Sequence, residues 1–430
     1  MRKINALILG SGGREHAIAW KICKSNLINN LYVAPGNSGT ERVANNLSIS
    51  LHDHNEIKKN ILAKNIDLLI IGPEDPLVAG LHDTLLKDEA INNNLRIIGP
   101  KKEGAKLEGS KLFAKKFMEK YNIPTASFKT FDKNNFLEAS EYLKKSQPPF
   151  VIKADGLAAG KGVFICNSIE ESENVIYDII IGSKFGEAGK QIVIESFLKG
   201  IEMSVFIITD GNSYKMLPSA KDYKRIGEND TGLNTGGMGA ISPVPFIDQN
   251  LKEKIKKKII EPTLTGLNAE GIEYSGFLFF GLINVDGNPF VIEYNARLGD
   301  PETQVIMPRI ESDLIPIFMA MDNPQKFAKK ELIISANAAA TIILTSGGYP
   351  NQYDTGYPVS GLSNINNATV FHAGLKLKDN KYLTNGGRVL AVTGEGGNIN
   401  EAIVKSYDSI NKISFTNSYF RKDIGLDIIK

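Results

Sequence analysis

Short apolar runs recur through roughly the first quarter of the chain, and each one ends in a turn rich in glycine, proline or charge. Four of these runs have the length and composition of buried strands: residues 6–9, 31–34, 66–71 and 95–98. Stretches of helical character separate them. Because strands that alternate with helices form parallel sheets, the pattern predicts an N-terminal parallel α/β domain. The four turns then lie at the carboxyl ends of the strands, where such sheets bind ligands.

The rest of the chain predicts two further regions. After a helix at 110–121, the middle region contains strand-like runs at 150–153, 191–195, 203–208, 277–283 and 289–294. Residues 221–239 interrupt these strands, and their glycine and charge indicate either a long functional loop with lid hinges or a disordered one. In the last region, from about residue 330, the pattern predicts strands at 338–344, 369–371 and 388–392 and an amphipathic helix near 399–413. The sequence therefore predicts a multidomain protein of mixed α/β and α+β class.

Composition and charge are those of an ordinary globular protein. The chain has 430 residues, of which 42% are hydrophobic and 23% are charged, and this length is typical of about three domains. Its 50 basic and 48 acidic residues leave a formal net charge of +2. This balance gives no reason to expect a nucleic acid or a membrane surface as a partner.

Cysteine usage and the lengths of the apolar runs indicate the cytoplasm. Cys23 and Cys166 are the only cysteines, which favours reduced thiols and excludes a cysteine-rich zinc site. The first apolar run breaks into glycines after a few positions, unlike the core of a signal peptide. The longest apolar stretch, residues 276–283, is far shorter than the roughly 20 residues needed to span a bilayer.

The first candidate for chemistry is GSGGREH, residues 10–16, which follows a strand and opens a helix. Its glycines allow a phosphate to approach the backbone, and the helix N-terminus supplies free N–H groups. A dinucleotide-binding fold would need an acidic residue at the end of the second strand, where the sequence has Ala34-Pro35-Gly36-Asn37. NAD binding therefore loses its main support, which leaves a small phosphorylated ligand or a purely structural turn.

The second candidate is KADGLAAGKGV, residues 153–163, in which a strand delivers Lys153 to a glycine-rich loop. Such a loop folds over a polyphosphate with its backbone donors while lysines neutralise the charge. The spacing does not fit a Walker A loop, because three residues separate Gly156 from Gly160 and a glycine follows Lys161. The alternative interpretation is a plain hairpin turn.

The third candidate is VIEYNARLGDPETQ, residues 291–304. Glu293 and Asn295 lie two positions apart at the end of a strand, so their side chains share one face. A carboxylate and an amide oxygen on one face suit Mg²⁺ or Mn²⁺, and Mg²⁺ needs only one or two protein ligands when nucleotide phosphates supply others. Taken alone, the pair also fits a surface strand end with solvated charges.

These motifs, together with DYKRIGENDTGLNTGGMGA at 222–240, occur in an order that resembles the phosphoribosylamine–glycine ligase family of the ATP-grasp superfamily. Further stretches agree: VAPGNSGT (33–40), IIGPEDPLVAG (70–80), LEGSKLFAKKFM (107–118), YSGFLFFGL (274–282), FHAG (371–374), TNGGRVLAV (384–392) and RKDIG (421–425). The resemblance implies an N-terminal α/β substrate-binding domain (1–105) and a two-lobed ATP-grasp domain (106–325, lid lobe about 122–192). A small β-rich C-terminal domain (326–430) follows.

The resemblance also implies roles for individual residues. Those expected to bind ATP are Lys111, Lys153, Gly156, Gly160, Lys161, Gly162, Glu195, Phe197, Leu198 and Glu202. Among them, the segment 195–198 forms the adenine hinge and Glu202 reaches the ribose. Glu293 and Asn295 match the metal positions, and catalysis is expected of Arg297, Lys153 and Asp300. Substrate contacts are expected from Gly12, Gly13, Arg14, Asn37, Asp222, Gly299, Pro301, Glu302 and Thr303.

One departure from the superfamily concerns the metal. Many ATP-grasp enzymes place a further acidic ligand on the strand before the Glu-x-Asn strand, whereas residues 277–283 contain no acid. This argues against a second fully coordinated metal ion. None of the five histidines is expected to be catalytic.

The family's reaction joins glycine to 5-phosphoribosylamine with ATP, by way of glycyl phosphate, in the second step of purine synthesis. The resemblance therefore implies these three small molecules as partners of a cytoplasmic monomer, with no nucleic acid and no membrane. Two alternatives stay open: another ATP-grasp carboxylate–amine ligase, and a nucleotide-binding module without catalysis. The presence of Lys153, Glu293, Asn295 and Arg297 together argues against the second.

Overall fold

The N-terminal part of the molecule is a parallel sheet with helices on both faces. This computed structural model describes residues 2–92, 94–158 and 160–429. The strands are β1 (Ile4–Gly10), β2 (Ile28–Pro35), β3 (Asn45–Asn46), β4 (Leu68–Ile71) and β5 (Arg96–Ile98). The helices are α1 (Gly13–Ile22), α2 (His54–Ala63), α3 (Glu74–Ala79), α4 (Leu81–Leu86), α5 (Glu89–Asn92) and α6 (Lys102–Gly109). Helix α7 (Lys111–Lys120) follows α6 and begins the central region.

All neighbours in the order β3-β2-β1-β4-β5 are parallel, which confirms the predicted α/β sheet. Strand β1 reads as an almost unbroken apolar run because helices cover both faces of the sheet. The turn after β1 leads directly into α1, so the glycines of GSGGREH lie at a helix N-terminus, as predicted.

The first lobe of the central region is an antiparallel sheet of order β6-β9-β7-β8. Its elements are β6 (Phe128–Asp132), α8 (Phe136–Lys144), β7 (Phe150–Ala154), β8 (Val163–Cys166), α9 (Ile169–Ile180) and β9 (Gln191–Ser196). Both helices pack through one shared apolar cluster against the sheet. Since β7 and β8 are adjacent and antiparallel, the KADGLAAGKGV motif is the loop of a hairpin.

The second lobe contains the sheet β11-β10-β16-β17. The strands from this part of the chain are β10 (Ile201–Thr209), β11 (Tyr214–Met216), β12 (Lys221–Asp222), β13 (Arg225–Gly227), β14 (Thr231–Asn234), β15 (Gly239–Ser242), β16 (Gly276–Val285) and β17 (Asn288–Asn295). The helices are α10 (Gln249–Ile255), α11 (Glu261–Ala269), α12 (Thr303–Arg309), α13 (Ile315–Phe318) and α14 (Pro324–Ala328), with a π-helical turn between α10 and α11.

The charged segment 221–239 has a defined structure, so the disordered alternative is wrong. It forms a two-stranded hairpin, β13-β14, flanked by β12 and β15. Both flanking strands join the sheet of the C-terminal region, whose order is β12-β15-β18-β22-β19. That region consists of β18 (Ala338–Thr345), β19 (Ala368–His372), β20 (Leu375–Lys378), β21 (Lys381–Thr384), β22 (Arg388–Gly396) and α15 (Ile399–Ile410).

One apolar cluster connects all three regions. Helix α1 packs against α12, and their buried side chains meet residues of β18, β19 and β22. Trp20 contacts Phe371 edge to face with ring centroids 5.7 Å apart. This packing fixes the N-terminal glycine turn relative to the loop after β17. In the described part of the chain, no helix combines the length and apolarity required to cross a bilayer.

Candidate active site

Glu293 and Asn295 lie at the end of β17, with Tyr294 between them buried on the opposite, core-facing side. Gly281 on the neighbouring strand gives the Glu293 side chain room, because a Cβ at Gly281 would lie 3.0 Å from Glu293 Cγ. Within the described residues, no hydrogen bond occupies the Glu293 carboxylate or the Asn295 carboxamide. These free hard-oxygen donors fit a divalent cation such as Mg²⁺ or Mn²⁺.

Three lysines from separate parts of the chain lie close enough to Glu293 to interact with its charge. Burial raises the pKa of this carboxyl, but Lys224, Lys153 and Lys111 outweigh that effect and lower it. Lys111 opens α7 and Lys153 lies near the end of β7, so a helix and a strand from different sequence motifs converge on the candidate metal ligands. The arrangement concentrates positive charge beside a candidate cation site, as a polyphosphate requires.

Lys153 is buried and already paired. Its Nζ lies 2.8 Å from Glu195 Oε1 and donates to the carbonyl of Ile292 at 3.0 Å. The other carboxylate oxygen of Glu195 lies 2.9 Å from Nζ of Lys115, a residue that sequence reasoning missed. Three charged side chains thus form one buried cluster next to the Glu293 strand.

Asp155 fixes the glycine-rich loop to α7, a role that the motif alone did not reveal. Its Oδ1 accepts from the backbone N–H of Leu112 at 2.7 Å and from the Ser110 hydroxyl at 3.0 Å. Lys111 Nζ donates to the carbonyl of Gly156 at 3.1 Å. The loop is therefore anchored at a helix N-terminus, and its backbone lies within hydrogen-bond distance of Lys111, which is predicted to bind phosphate.

Within this loop the structure distinguishes the three predicted glycines. Gly156 and Gly162 are closely packed, since an added Cβ would lie 2.8 Å from Ala188 and 2.7 Å from Ala158 Cβ. Gly160 has a φ of +74° and open space around it, so its requirement is conformational. Lys161 is exposed. Ala159, part of the predicted phosphate loop, lies outside the described residues.

The predicted adenine hinge lies at the end of β9. The Glu195 side chain points inward to the two lysines, whereas Phe197 is 41% exposed and Leu198 is half-buried. The backbone and the apolar side chains of this segment thus remain available to a base. Glu202, expected at the ribose, forms an ion pair with Lys224 at 2.7 Å.

Lys224 stands among several carboxylates. Burial lowers its pKa, but Glu202, Asp222 and Glu293 more than compensate and raise it well above the ordinary value. Burial, followed by the charge of Asp222, raises the pKa of Glu302 to about 7. The Glu302 Oε1 accepts from the Ser204 hydroxyl at 3.1 Å. Asp222 and Glu302, both expected at the substrate, are therefore close enough to influence each other's charge.

Arg297 connects these carboxylates to the N-terminal domain, where it forms two ion pairs. Its Nη2 lies 2.7 Å from Glu108 Oε1, and its Nε donates to Glu74 Oε2 at 3.1 Å. The other Glu108 oxygen accepts from the backbone of Ala296. Glu74 and Glu108 belong to the quoted stretches IIGPEDPLVAG and LEGSKLFAKKFM, yet residue-type reasoning gave them no function. Arg297 also lies close enough to Glu302 and Glu293 for both to raise its pKa.

Asp300 lies beside the N-terminus of α1. Arg388 from the C-terminal domain holds it, with Nη2 3.3 Å from Asp300 Oδ2 and Nη1 donating to the Asp300 carbonyl at 2.7 Å. Gln304 donates to Asp300 Oδ1 at 2.7 Å. Burial raises the pKa of Asp300, but Arg388, Arg14 and the hydrogen bond from Gln304 together outweigh this effect, so the net shift is downward.

The remaining predicted substrate residues surround this junction. An added Cβ at Gly12 would lie 3.3 Å from Asp300 Oδ2, and an added Cβ at Gly13 would lie 2.5 Å from Gln304 Nε2. Arg14 donates to the Leu298 carbonyl at 3.1 Å, and Asn37 donates to the carbonyls of Ser11 and His372. Three further residues shape the loop after β17: Gly299 makes room for the Glu302 carboxylate, Pro301 packs on Gly237, and Thr303 donates to the Gly299 carbonyl.

The site therefore has two parts. One contains Lys111, Lys153, Glu293 and Asn295, and the other contains the α1 turn with Asp300 and Arg388. Arg297, which lies between Asn295 and Asp300 in the chain, and Lys224 both lie close enough to Glu293 to interact with its charge.

Family models match almost the whole chain. The N domain of phosphoribosylglycinamide synthetase matches residues 4–108, its ATP-grasp (A) domain matches residues 109–303, and its C domain matches residues 339–427.

Full-length relatives agree with these matches. The chain is 44% identical to phosphoribosylamine–glycine ligase of Haemophilus influenzae and 43% identical to that of Escherichia coli, with 98% of each chain covered in both cases. A crystal structure of the Thermotoga maritima phosphoribosylamine–glycine ligase superimposes with a TM-score of 0.84 at 36% identity, covering 98% of this chain and 100% of that one. The resemblance based on motifs is confirmed, and the chain belongs to the phosphoribosylamine–glycine ligase family.

Proposed function

We propose that this protein ligates glycine to 5-phosphoribosylamine with ATP, producing glycinamide ribonucleotide, ADP and phosphate. The observation that carries the proposal is the convergence of Lys111, Lys153 and Glu293, in which the two ammonium groups help to keep the carboxylate ionised. A triphosphate and a divalent cation need this combination of charges at one place. The 44% identity to a named ligase over 98% of both chains supports the choice of substrates.

The reaction needs no protein nucleophile. A glycine carboxylate oxygen attacks the γ-phosphorus of ATP, which forms the C–O–P bond of glycyl phosphate and releases ADP. The amine of phosphoribosylamine then attacks the carbonyl carbon, loses a proton and expels phosphate. The protein positions the three substrates and neutralises charge, which accounts for most of the catalysis in phosphoryl transfer.

Individual side chains have defined tasks in this proposal. Lys111 and Lys153 bind the triphosphate, and the loop that starts at Asp155 covers it and keeps water from the acyl phosphate. Arg297, held by Glu74 and Glu108, presents a fixed guanidinium between the nucleotide and substrate parts of the site. A fixed fork of this kind suits a carboxylate or a transferring phosphoryl group.

Glu293 and Asn295 would hold the Mg²⁺ or Mn²⁺, which supplies Lewis-acid neutralisation of the phosphate oxygens when it is bound. The α1 turn with Asn37, Asp300 and Arg388 would bind phosphoribosylamine. We further propose that the enzyme acts as a monomer in the cytoplasm, in keeping with the free thiols Cys23 and Cys166.

The direct test measures ADP release with each substrate omitted in turn. The complete mixture should release ADP steadily, and omission of glycine should abolish release, because glycine is the phosphoryl acceptor. Replacing glycine by other amino acids, and phosphoribosylamine by simple amines, checks the substrate assignment. Equal ADP release with unrelated acid–amine pairs would contradict it.

A further inference from the structure

A buried cluster of two lysines and one glutamate lies where the two lobes of the central region meet. Lys153 on β7 and Glu195 on β9 come from the first lobe, and Lys115 comes from α7. The side chains of Lys115, Lys153 and Glu195 are 2%, 4% and 4% exposed, respectively, so solvent screens none of these charges. The cluster is unbalanced because one carboxylate serves two ammonium groups.

Both lysines of the cluster are hydrogen-bonded, directly or through one side chain, to the backbone of β17 just before Glu293. Lys153 donates to the Ile292 carbonyl at 3.0 Å. Lys115 donates to the Thr125 hydroxyl at 2.7 Å, and Thr125 donates in turn to the Val291 carbonyl at 2.7 Å. The two lysines thus share an anion on one side and hold adjacent peptide units of β17 on the other.

Lys153 faces two competing partners, because a nucleotide phosphate would take the ammonium group that Glu195 now binds. If Glu195 had only this lysine, releasing it would leave a buried carboxylate unpaired, which is strongly unfavourable. Lys115 removes that obstacle because it already contacts the other oxygen of the same carboxylate at 2.9 Å. It has no need to touch the nucleotide.

We infer that Lys115 is a positioning residue for nucleotide binding: it retains Glu195 so that Lys153 is free to turn to the ATP phosphates. The excess positive charge supports this role. Burial, together with the charge of Lys153, lowers the pKa of Lys115 to about 8, although Glu195 opposes the shift. A bound polyphosphate supplies the missing negative charge nearby and stabilises both ammonium groups.

Lys116 offers a matched control, since it is the next residue on the same helix and its side chain is exposed. Lys115→Met preserves length and apolar volume but removes the charge. Titration calorimetry with Mg-ADP should show at least a tenfold weaker Kd for Lys115→Met and a change below twofold for Lys116→Met. In steady state the KM for ATP should rise by a similar factor while the KM for glycine stays constant. Lys115→Arg should recover part of the affinity.

The double variant Lys115→Met/Glu195→Gln distinguishes positioning from simple support of the fold. A neutral amide no longer holds Lys153, so the double variant should bind Mg-ADP more tightly than Lys115→Met alone. The double variant contains no unpaired buried carboxylate, so it can be studied even if Lys115→Met does not fold. The double variant is then compared with Glu195→Gln, and the two should bind Mg-ADP about equally well.

The inference rests on the proposed function only in taking Lys153 as a phosphate-binding group. If the unaltered protein bound no Mg-ADP, the proposed function itself would fail. Normal binding by the unaltered protein, with equally tight binding by Lys115→Met, would overturn the role of Lys115 alone. A double variant weaker than both single variants would overturn it as well, because additive losses indicate structural damage.

Discussion

The proposed nucleotide part and the proposed substrate part of the site are built in different ways. The first takes its charged groups from regular elements of the central region: Lys111 opens a helix, Lys153 ends a strand, and Glu293 and Asn295 end another. The second is assembled from three domains, because Asp300 lies between the α1 turn and Arg388 of the C-terminal domain. Changes in the first part should therefore affect chemistry, whereas changes in the second should affect substrate binding and domain docking.

The largest effect is expected from Glu293→Ala. Removing this carboxylate takes away the candidate metal ligand and one of the negative charges that face Lys111, Lys153 and Lys224. We expect kcat to fall by at least about 10³-fold, while circular dichroism shows an intact fold. The exposed Glu138 on α8 provides a control, and Glu138→Ala should have normal turnover. Normal turnover of Glu293→Ala would remove this residue from the site.

Arg297→Lys should be the next most severe change. One ammonium cannot replace a guanidinium that contacts Glu74 and Glu108 together. Both the positioning of the cation at residue 297 and the docking of the N-terminal domain should therefore be weakened. We expect kcat to fall about 10²-fold and the thermal unfolding midpoint to decrease. If kcat fell with no change in the midpoint, the two ion pairs would contribute nothing to docking the N-terminal domain.

Arg388→Met isolates the substrate part. This variant removes the contacts to Asp300 and to the Gly236 carbonyl but leaves the lysines around Glu293 untouched. The KM for phosphoribosylamine should rise about tenfold, with the KM for ATP unchanged. Lys376→Met, an exposed change in the same domain, is the control. A rise confined to the KM for ATP would reverse the assignment of the two parts.

The smallest effect concerns the contact between the N-terminal and C-terminal domains. The backbone N–H of His372 donates to His16 Nδ1 at 2.8 Å, so His16 must be unprotonated there. Burial lowers the pKa of His16 to about 3, with the charges of His372 and Arg42 adding to the effect. Burial, followed by Arg42, also lowers the pKa of His372, to about 4.

Since the unfolded chain takes up these protons first, the stabilisation is complete above about pH 6.5 and is lost as the pH falls towards 4. His16→Asn keeps an acceptor oxygen but does not titrate. At pH 6 the free energy of unfolding of the unaltered protein should have lost about 1 kcal/mol more than that of the variant, relative to pH 8. Parallel curves for the two proteins from pH 8 to pH 5 would contradict this account.

The sequence correctly predicted those features that depend on regular strands and helices. The apolar runs located β1, β2, β4 and β5, and the spacing of Glu293 and Asn295 correctly placed both on one face of a strand. The motif order was sufficient to indicate the family, which the domain matches confirm. Local periodicity and short-range spacing carry this information because each depends only on neighbouring residues.

Sequence reasoning failed where a side chain finds its partner across the fold. Nothing local to Lys115 indicates that it shares Glu195 with Lys153, and nothing near Arg388 points to Asp300. Residues 221–239 illustrate the same limit. Their polarity suggested a loop or disorder, yet two of their strands complete a sheet whose other strands come from β18 onwards. Such pairings depend on tertiary contacts that override local propensity.

The central claim, that the glycine carboxylate attacks ATP before the amine reacts, is tested most directly by isotope transfer. Glycine labelled with ¹⁸O in both carboxyl oxygens is converted with ATP and phosphoribosylamine, and the released phosphate is analysed by mass spectrometry. The account predicts one ¹⁸O in each phosphate and one retained in the amide product. Unlabelled phosphate formed alongside glycinamide ribonucleotide would contradict a glycyl phosphate intermediate.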